Sequence, residues 1–167
     1  MPRITFDTAI GACGFAWNDA GLTAFHLPGP HRDAPGDATV SPAEAPAWVG
    51  ELVARVQRHL TGDLQDFRGV PLDYGAVSPF ARRVYEAAGA VPAGQTRTYG
   101  ELAAAMQEPP EASRSIGSLL GANPWPLIVP CHRIVGAKGR MTGFSAPGGV
   151  RTKVRLLALE GAQLIAE

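Results

Sequence analysis

The chain has 167 residues, 46% of them hydrophobic and 18% charged, and carries no formal net charge at neutral pH. That is enough apolar material for a buried core, which excludes wholesale disorder, and the length suits one domain or two small ones packed together. No run approaches the ~20 continuous apolar residues that span a bilayer. The opening MPRITFDTAI lacks the basic-then-apolar order of a secretory signal, so a cytoplasmic protein without membrane contact is expected. Cys13 and Cys131 cannot make a disulfide framework, and His26, His31, His59 and His132 are too scattered to propose a metal site. Divided by position, the charge is uneven: residues 1–76 hold five Lys/Arg against nine Asp/Glu, and residues 77–162 hold ten against five. An acidic half followed by a basic half fits a polyanion site, and fits solvated helix faces equally well.

In chain order, residues 4–10, 13–17 and 22–27 read as three short strands, with turn chemistry at Asn18-Asp19-Ala20-Gly21 between the second and third. The proline-rich stretch 28–47 reads as a long surface connection. Trp48, Val49, Leu52, Val53, Val56 and Leu60 repeat at helical spacing, and Gly62 is placed to end that helix. A short strand is expected near Val70–Leu72. Ser78-Pro79 then opens a second helix as N-cap and first-turn proline. Thr98 with Glu101 three residues on is a capping box, starting a helix that runs to about Met106. Pro109-Pro110 interrupts, and a further helix is expected over residues 111–120. Two short helices across a tight break fit a helix-turn-helix. Apolar runs at 127–129 and 133–135, with a turn at 136–139 returning through 140–142, predict strands and a wing hairpin. A last helix is expected over residues 150–160, with Gly161 beyond it.

Cys131 is the residue with chemical potential, flanked by Pro130, His132 and Arg133. A reactive cysteine needs its thiolate stabilised by positive charge, a base or oriented donors. His132 is a base at hand, but neighbours on an extended segment point to opposite faces, so direct contact is not assured. A small buried hydrophobe is the other reading of Cys131, and the only one for Cys13.

The wider string Asn123-Pro124-x-Pro126-x-x-x-Pro130-Cys131-His132-Arg133-Ile134-Val135 resembles the active-site signature of the 6-O-alkylguanine-DNA alkyltransferases. The resemblance extends from about Ser78 to Gly161 and takes in TYGELA with Tyr99, ASRSIG with Arg114, GFSAPGG, and LLALEG with Glu160. It implies an α+β protein: a small ribonuclease-H-like α+β domain over residues 1–76, then a winged helix-turn-helix domain over 77–167 for DNA contact and chemistry. It implies further that Cys131 accepts the alkyl group irreversibly, once per molecule. His132 would act as a base through a water, Glu160 would orient that histidine, and Asn123 would brace the site. Tyr99 would protonate the departing base, with Ile134, Phe144 and Ser145 completing the base pocket. Arg114 would fill the space left by an extruded base in minor-groove-bound duplex DNA, with Ser115 and Gly100 beside the phosphates. No cofactor and no metal is implied, the partner is duplex DNA bearing 6-O-alkylguanine or 4-O-alkylthymine, and the protein is expected to be a monomer. A non-catalytic lesion-binding relative, a cysteine hydrolase and a winged-helix regulator are the competing classes. The first of these typically lacks the cysteine, the second has no separate histidine or oxyanion hole proposed by this sequence, and the third leaves PCHR unexplained.

Overall fold

The computed structural model describes residues 1–29, 38–140 and 149–162. Three strands, β1 (Pro2–Thr8), β2 (Gly11–Asn18) and β3 (Gly21–His26), form an antiparallel meander. The predicted turn chemistry is what closes the second hairpin, because Asn18 Oδ1 accepts from the amides of Ala20 (2.8 Å) and Gly21 (3.2 Å). Gly21 has φ +139°, and a Cβ there would sit 2.4 Å from the carbonyl carbon of Pro71. Only glycine allows that close approach of two backbones.

Two sequence expectations for this region need correction. The connection at 28–47 is not all loop: Ala38–Thr39 forms β4, pairing in parallel with Pro2 and Arg3 at the edge of the sheet, and Pro42–Glu44 makes a 3-10 turn. The sheet order is therefore β3-β2-β1-β4. The strand expected near Val70–Leu72 reduces to one parallel bridge between Leu72 and Leu22. Leu22 donates to Pro71 and accepts from Asp73, and the chain then turns away, so the ladder stops. Residues 30–37, including His31, lie outside the described set.

Helix α1 (Ala47–His59) lays Val49, Leu52 and Val56 into the core shared with Ile4, Phe15 and Phe25 of the sheet. Spacing of three and four residues puts those side chains on one face, which is why the periodicity was legible. Helix α2 (Pro79–Gly89) starts as expected, with Ser78 Oγ accepting from the Ala81 amide at 3.1 Å. Helix α3 (Tyr99–Ala105) has the reciprocal capping box: the Glu101 amide donates to Thr98 Oγ1 at 3.0 Å, and Glu101 Oε1 accepts from the Thr98 amide at 2.9 Å. The next helix begins later than expected. Pro110–Ala112 forms a 3-10 turn before α4 (Ser113–Gly121).

The expected strands around the cysteine are mostly absent among the described residues. Leu127 takes φ +77°, which a strand cannot accommodate, and residues 127–129 form a folded-back loop with the Val129 amide on the Trp125 carbonyl at 2.9 Å. Ile134–Val135 is a strand, β6, but its partner is β5 (Arg97–Thr98), paired in parallel across the helix-turn-helix. Ala137–Gly139 forms a 3-10 turn with the Gly136 amide on the Arg140 carbonyl, and beyond Arg140 the expected return of the wing hairpin lies outside the described residues. Residues 141–148 lie outside the described set, and with them Phe144 and Ser145. The last helix, α5 (Val150–Leu159), ends where predicted, with Gly161 at φ +73°.

One continuous core joins the two halves. Trp125, 1% exposed, donates its indole N–H to the Leu22 carbonyl at 2.9 Å, and the Phe25 amide donates to the Pro124 carbonyl at 2.9 Å. The loop leading to Cys131 is thus pinned to the open edge of the N-terminal sheet. No helix among the described residues is long and apolar enough to cross a membrane.

Candidate active site

Cys131, His132 and Arg133 form a single 3-10 turn between the folded-back loop and β6. The segment is therefore bent, not extended. Cys131 and His132 are 6% and 0% exposed. The Cys131 amide donates to the Val129 carbonyl at 2.8 Å, and Asn123 ties the same loop from both ends. Its Nδ2 donates to Val129 O, and its Oδ1 accepts from the Trp125 amide, each at 2.9 Å.

The ring of His132 points away from solvent to Glu160, at the C-terminal end of α5, with Nε2 3.0 Å from Oε1. A carboxylate only accepts, so Nε2 carries the proton and Nδ1 is left as the basic nitrogen. Nδ1 is buried and has no hydrogen-bond partner within the protein. Burial pushes the His132 pKa down, against the pull of Glu160, which favours the neutral imidazole.

Glu160 follows the last turn of α5 but is not solvated there. It is 4% exposed and accepts from three side chains. Arg133 forks onto it, Nε to Oε1 at 2.9 Å and Nη2 to Oε2 at 2.7 Å, while Nη1 of the same arginine donates to Val91 O at 2.8 Å. His59, from the end of α1, adds Nε2 to Oε2 at 2.8 Å. Burial alone would raise the Glu160 pKa, but these donors outweigh it and hold the carboxyl well below its usual range.

The Cys131 thiol is pushed up by burial, opposed by the Asn123 amide, the Lys153 ammonium and the backbone N–H groups of Cys131 and His132. Lys153 is 1% exposed and donates Nζ to the Ile134 carbonyl at 2.7 Å, so Ile134 meets the site through a carbonyl already engaged. Cys13 is the contrast. It sits in the sheet near Thr8 Oγ1 alone, and burial lifts its pKa to about 11.

Tyr99, half-buried at the first position of α3, packs its ring toward Gly117 of α4. Gly100 beside it is exposed, as are Arg114 and Ser115 in the first turn of α4. The structure thus gathers Cys131, His132, Glu160 and Asn123 around one centre and leaves Arg114, Ser115 and Gly100 on the helix-turn-helix surface. Three participants were missed in the sequence. Arg133 stood inside the PCHR string. Lys153 lies seven residues before Glu160, two turns along the same helix face. His59 continues the Val49-Leu52-Val56 stripe to its next inward position, a signal that helical spacing contained.

A family profile described as "6-O-methylguanine DNA methyltransferase, DNA binding domain" matches residues 79–162. A methylated-DNA–protein-cysteine methyltransferase of Methanothermobacter thermautotrophicus is 36% identical over 151 residues, covering 90% of this chain and 80% of its own length. The chain belongs to the methylated-DNA–protein-cysteine methyltransferase family. A second methyltransferase of that name, from Mycolicibacterium paratuberculosis, is 36% identical over 93% of this chain and 90% of its own length. Among solved structures, Mycobacterium tuberculosis OGT in complex with DNA superposes with a TM-score of 0.78 at 34% identity, over 96% of this chain and 93% of that one. The Pyrococcus kodakaraensis O6-methylguanine-DNA methyltransferase, at 22% identity and a TM-score of 0.72, shares the fold over 96% of this chain and 99% of that one. The α+β architecture of this methyltransferase, a β-rich N-terminal part followed by a helical C-terminal part, agrees with that of its relatives.

Proposed function

We propose that this DNA-repair methyltransferase removes the alkyl group from 6-O-alkylguanine in duplex DNA and keeps it on Cys131 as a thioether. The observation that carries the reading is the buried His132–Glu160 pair beside Cys131, with Nδ1 of His132 unpartnered in the protein. His132 Nδ1 takes the thiol proton through one water. The sulfur lone pair attacks the alkyl carbon, and the carbon–oxygen bond breaks toward the guanine oxygen. Tyr99 delivers a proton to the departing base, leaving intact guanine, and regains it from solvent. Asn123 and the Lys153 ammonium steady the thiolate while Glu160 holds the imidazole in its working tautomer. A thioether has no good leaving group, so each molecule reacts once.

The alkyl carbon of a stacked guanine cannot reach the thiol of a cysteine that is only 6% exposed, so the base leaves the helix. Arg114, exposed on α4, is the side chain proposed to fill the vacated stack from the minor groove, with Ser115 and Gly100 at the phosphates. Residues 1–76 brace the chemistry in 77–167 through the contacts of β3 with Trp125 and of His59 with Glu160. The protein acts as a cytoplasmic monomer, and 4-O-alkylthymine is a second substrate.

The test is intact-mass spectrometry after mixing with a duplex containing one 6-O-methylguanine, with Cys131→Ser and Cys13→Ser alongside. A gain of one methyl group, on the Cys131 peptide and absent only from Cys131→Ser, is the expected result. Retention of the lesion duplex without mass gain would place the protein with the non-catalytic lesion binders instead.

A further inference from the structure

His59 lies 101 residues from Glu160, on the helix of the N-terminal half that carries no other charged or polar buried side chain. It is 1% exposed, and both ring nitrogens are committed. Nδ1 accepts from the Gln65 amide at 3.0 Å, which leaves Nε2 as the protonated nitrogen aimed at Glu160 Oε2. Phe67 packs on the ring at a centroid distance of 5.1 Å. With His59 in place, each oxygen of Glu160 accepts two hydrogen bonds: Oε1 from His132 and Arg133, Oε2 from Arg133 and His59. Arg133 alone already balances the carboxylate charge, so a second neutral donor adds little as a counter-ion. What it adds is direction. The fork of Arg133 fixes the plane of the carboxylate, and His59 closes the remaining site on Oε2, so that Oε1 cannot rotate away from His132.

We infer that His59 is a positioning residue for alkyl transfer, by which the N-terminal half holds Glu160 in register with His132. The inference rests on the Cys131 chemistry proposed above and adds to it a dependence on a side chain outside the signature. The groups facing His59 are Glu160 and, across that carboxylate, His132 and Arg133; its other neighbours are the Gln65 amide and Phe67. Removing the His59 donor frees the carboxylate to turn, so Oε1 holds the His132 N–H less well. The imidazole then becomes less basic, and its Nδ1 is a weaker acceptor of the thiol proton.

Two variants separate the donor from the packing. His59→Phe keeps a ring against Phe67 and loses the donor, whereas His59→Gln gives up the ring but can place an amide N–H near the position of Nε2. Single-turnover methyl transfer at saturating lesion duplex is followed by mass, from pH 5.5 to 9, with the folded fraction set by circular dichroism. A lost hydrogen bond to a charged group predicts a fall of about tenfold for His59→Phe, with most of it recovered in His59→Gln. The acid limb of the His59→Phe rate profile should move down by about one pH unit. A purely structural role changes the folded fraction and leaves the profile where it was. Equal rates and profiles for His59→Phe and wild type overturn the inference, as does a His59→Gln variant as slow as His59→Phe. If His59→Phe does not fold, 15N-histidine spectra of the wild-type protein decide. The Nε2–H resonance of His59 should shift when Cys131 becomes methylated, and an unmoved resonance refutes the coupling. Failure of the Cys131 chemistry itself would appear separately, as no mass gain in the wild type.

Discussion

The two halves of the molecule are buried to similar depth but filled with different material. In the N-terminal half, Ile4, Phe15, Leu22, Phe25, Val49, Leu52 and Val56 make an apolar core, and Arg3 and His59 are its buried polar side chains. In the C-terminal half, His132, Arg133, Lys153 and Glu160 are buried together, each 6% exposed or less. The two cysteines differ accordingly. Burial lifts both, yet only Cys131 has an amide, an ammonium and backbone N–H groups to oppose it. An apolar core holds a fold together. A buried charged cluster is costly unless every group is paired, and it is kept where chemistry needs it.

The widest separation between the halves should come from a matched pair of substitutions. Phe15→Ala opens a cavity in the sheet core and Glu160→Gln leaves the Arg133 cation without its counter-charge; each is expected to cost about 3–5 kcal/mol in urea unfolding. Their activities should diverge. At a temperature where both are folded, Phe15→Ala transfers methyl groups at the wild-type rate, while Glu160→Gln is slower by about a hundredfold. Equal rates would erase the distinction between structural and chemical burial.

Acid should sharpen the same contrast. Burial holds His132 below its ordinary value, and the donors around Glu160 hold that carboxyl low in spite of burial. A group with a lower pKa in the folded state takes up its proton first in the unfolded chain, so its contribution is present above the unfolded value and lost as pH falls. Stability should therefore decline in two stages, the first beginning at about pH 6.5 from His132 and the second below about pH 4.3 from Glu160. Urea midpoints across pH 8 to 3 report this. His132→Gln should flatten the first stage, and an unaltered slope would show that other groups cause it.

The smallest effect expected is local. Thr98→Ala removes the hydroxyl half of the α3 capping box and should cost about 1 kcal/mol, read as a lowered urea midpoint. Because Tyr99 directly follows, that variant also asks whether loosening the cap slows transfer. A stability loss without a rate change would mean that Tyr99 is held by its packing toward Gly117 instead.

Local chemistry made much of this molecule readable from its residues. The Asn18–Gly21 turn, the α1 stripe, the Ser78 and Thr98 caps and Gly161 beyond α5 each depend on a few neighbouring groups, and each formed as expected. The PCHR string with Asn123, Tyr99 and Glu160 likewise pointed to one chemistry before any contact was known. Strand partners were not readable. Residues 127–129 have strand composition, but Leu127 at positive φ turns them into a loop, and β6 pairs with β5 from 37 residues earlier. Nor could local pattern show that Glu160 is buried, or that His59 would meet it. A helix reveals which of its faces turns inward, because its own spacing sets that. What waits on that face, here a carboxylate 101 residues away, is decided only when the two halves pack.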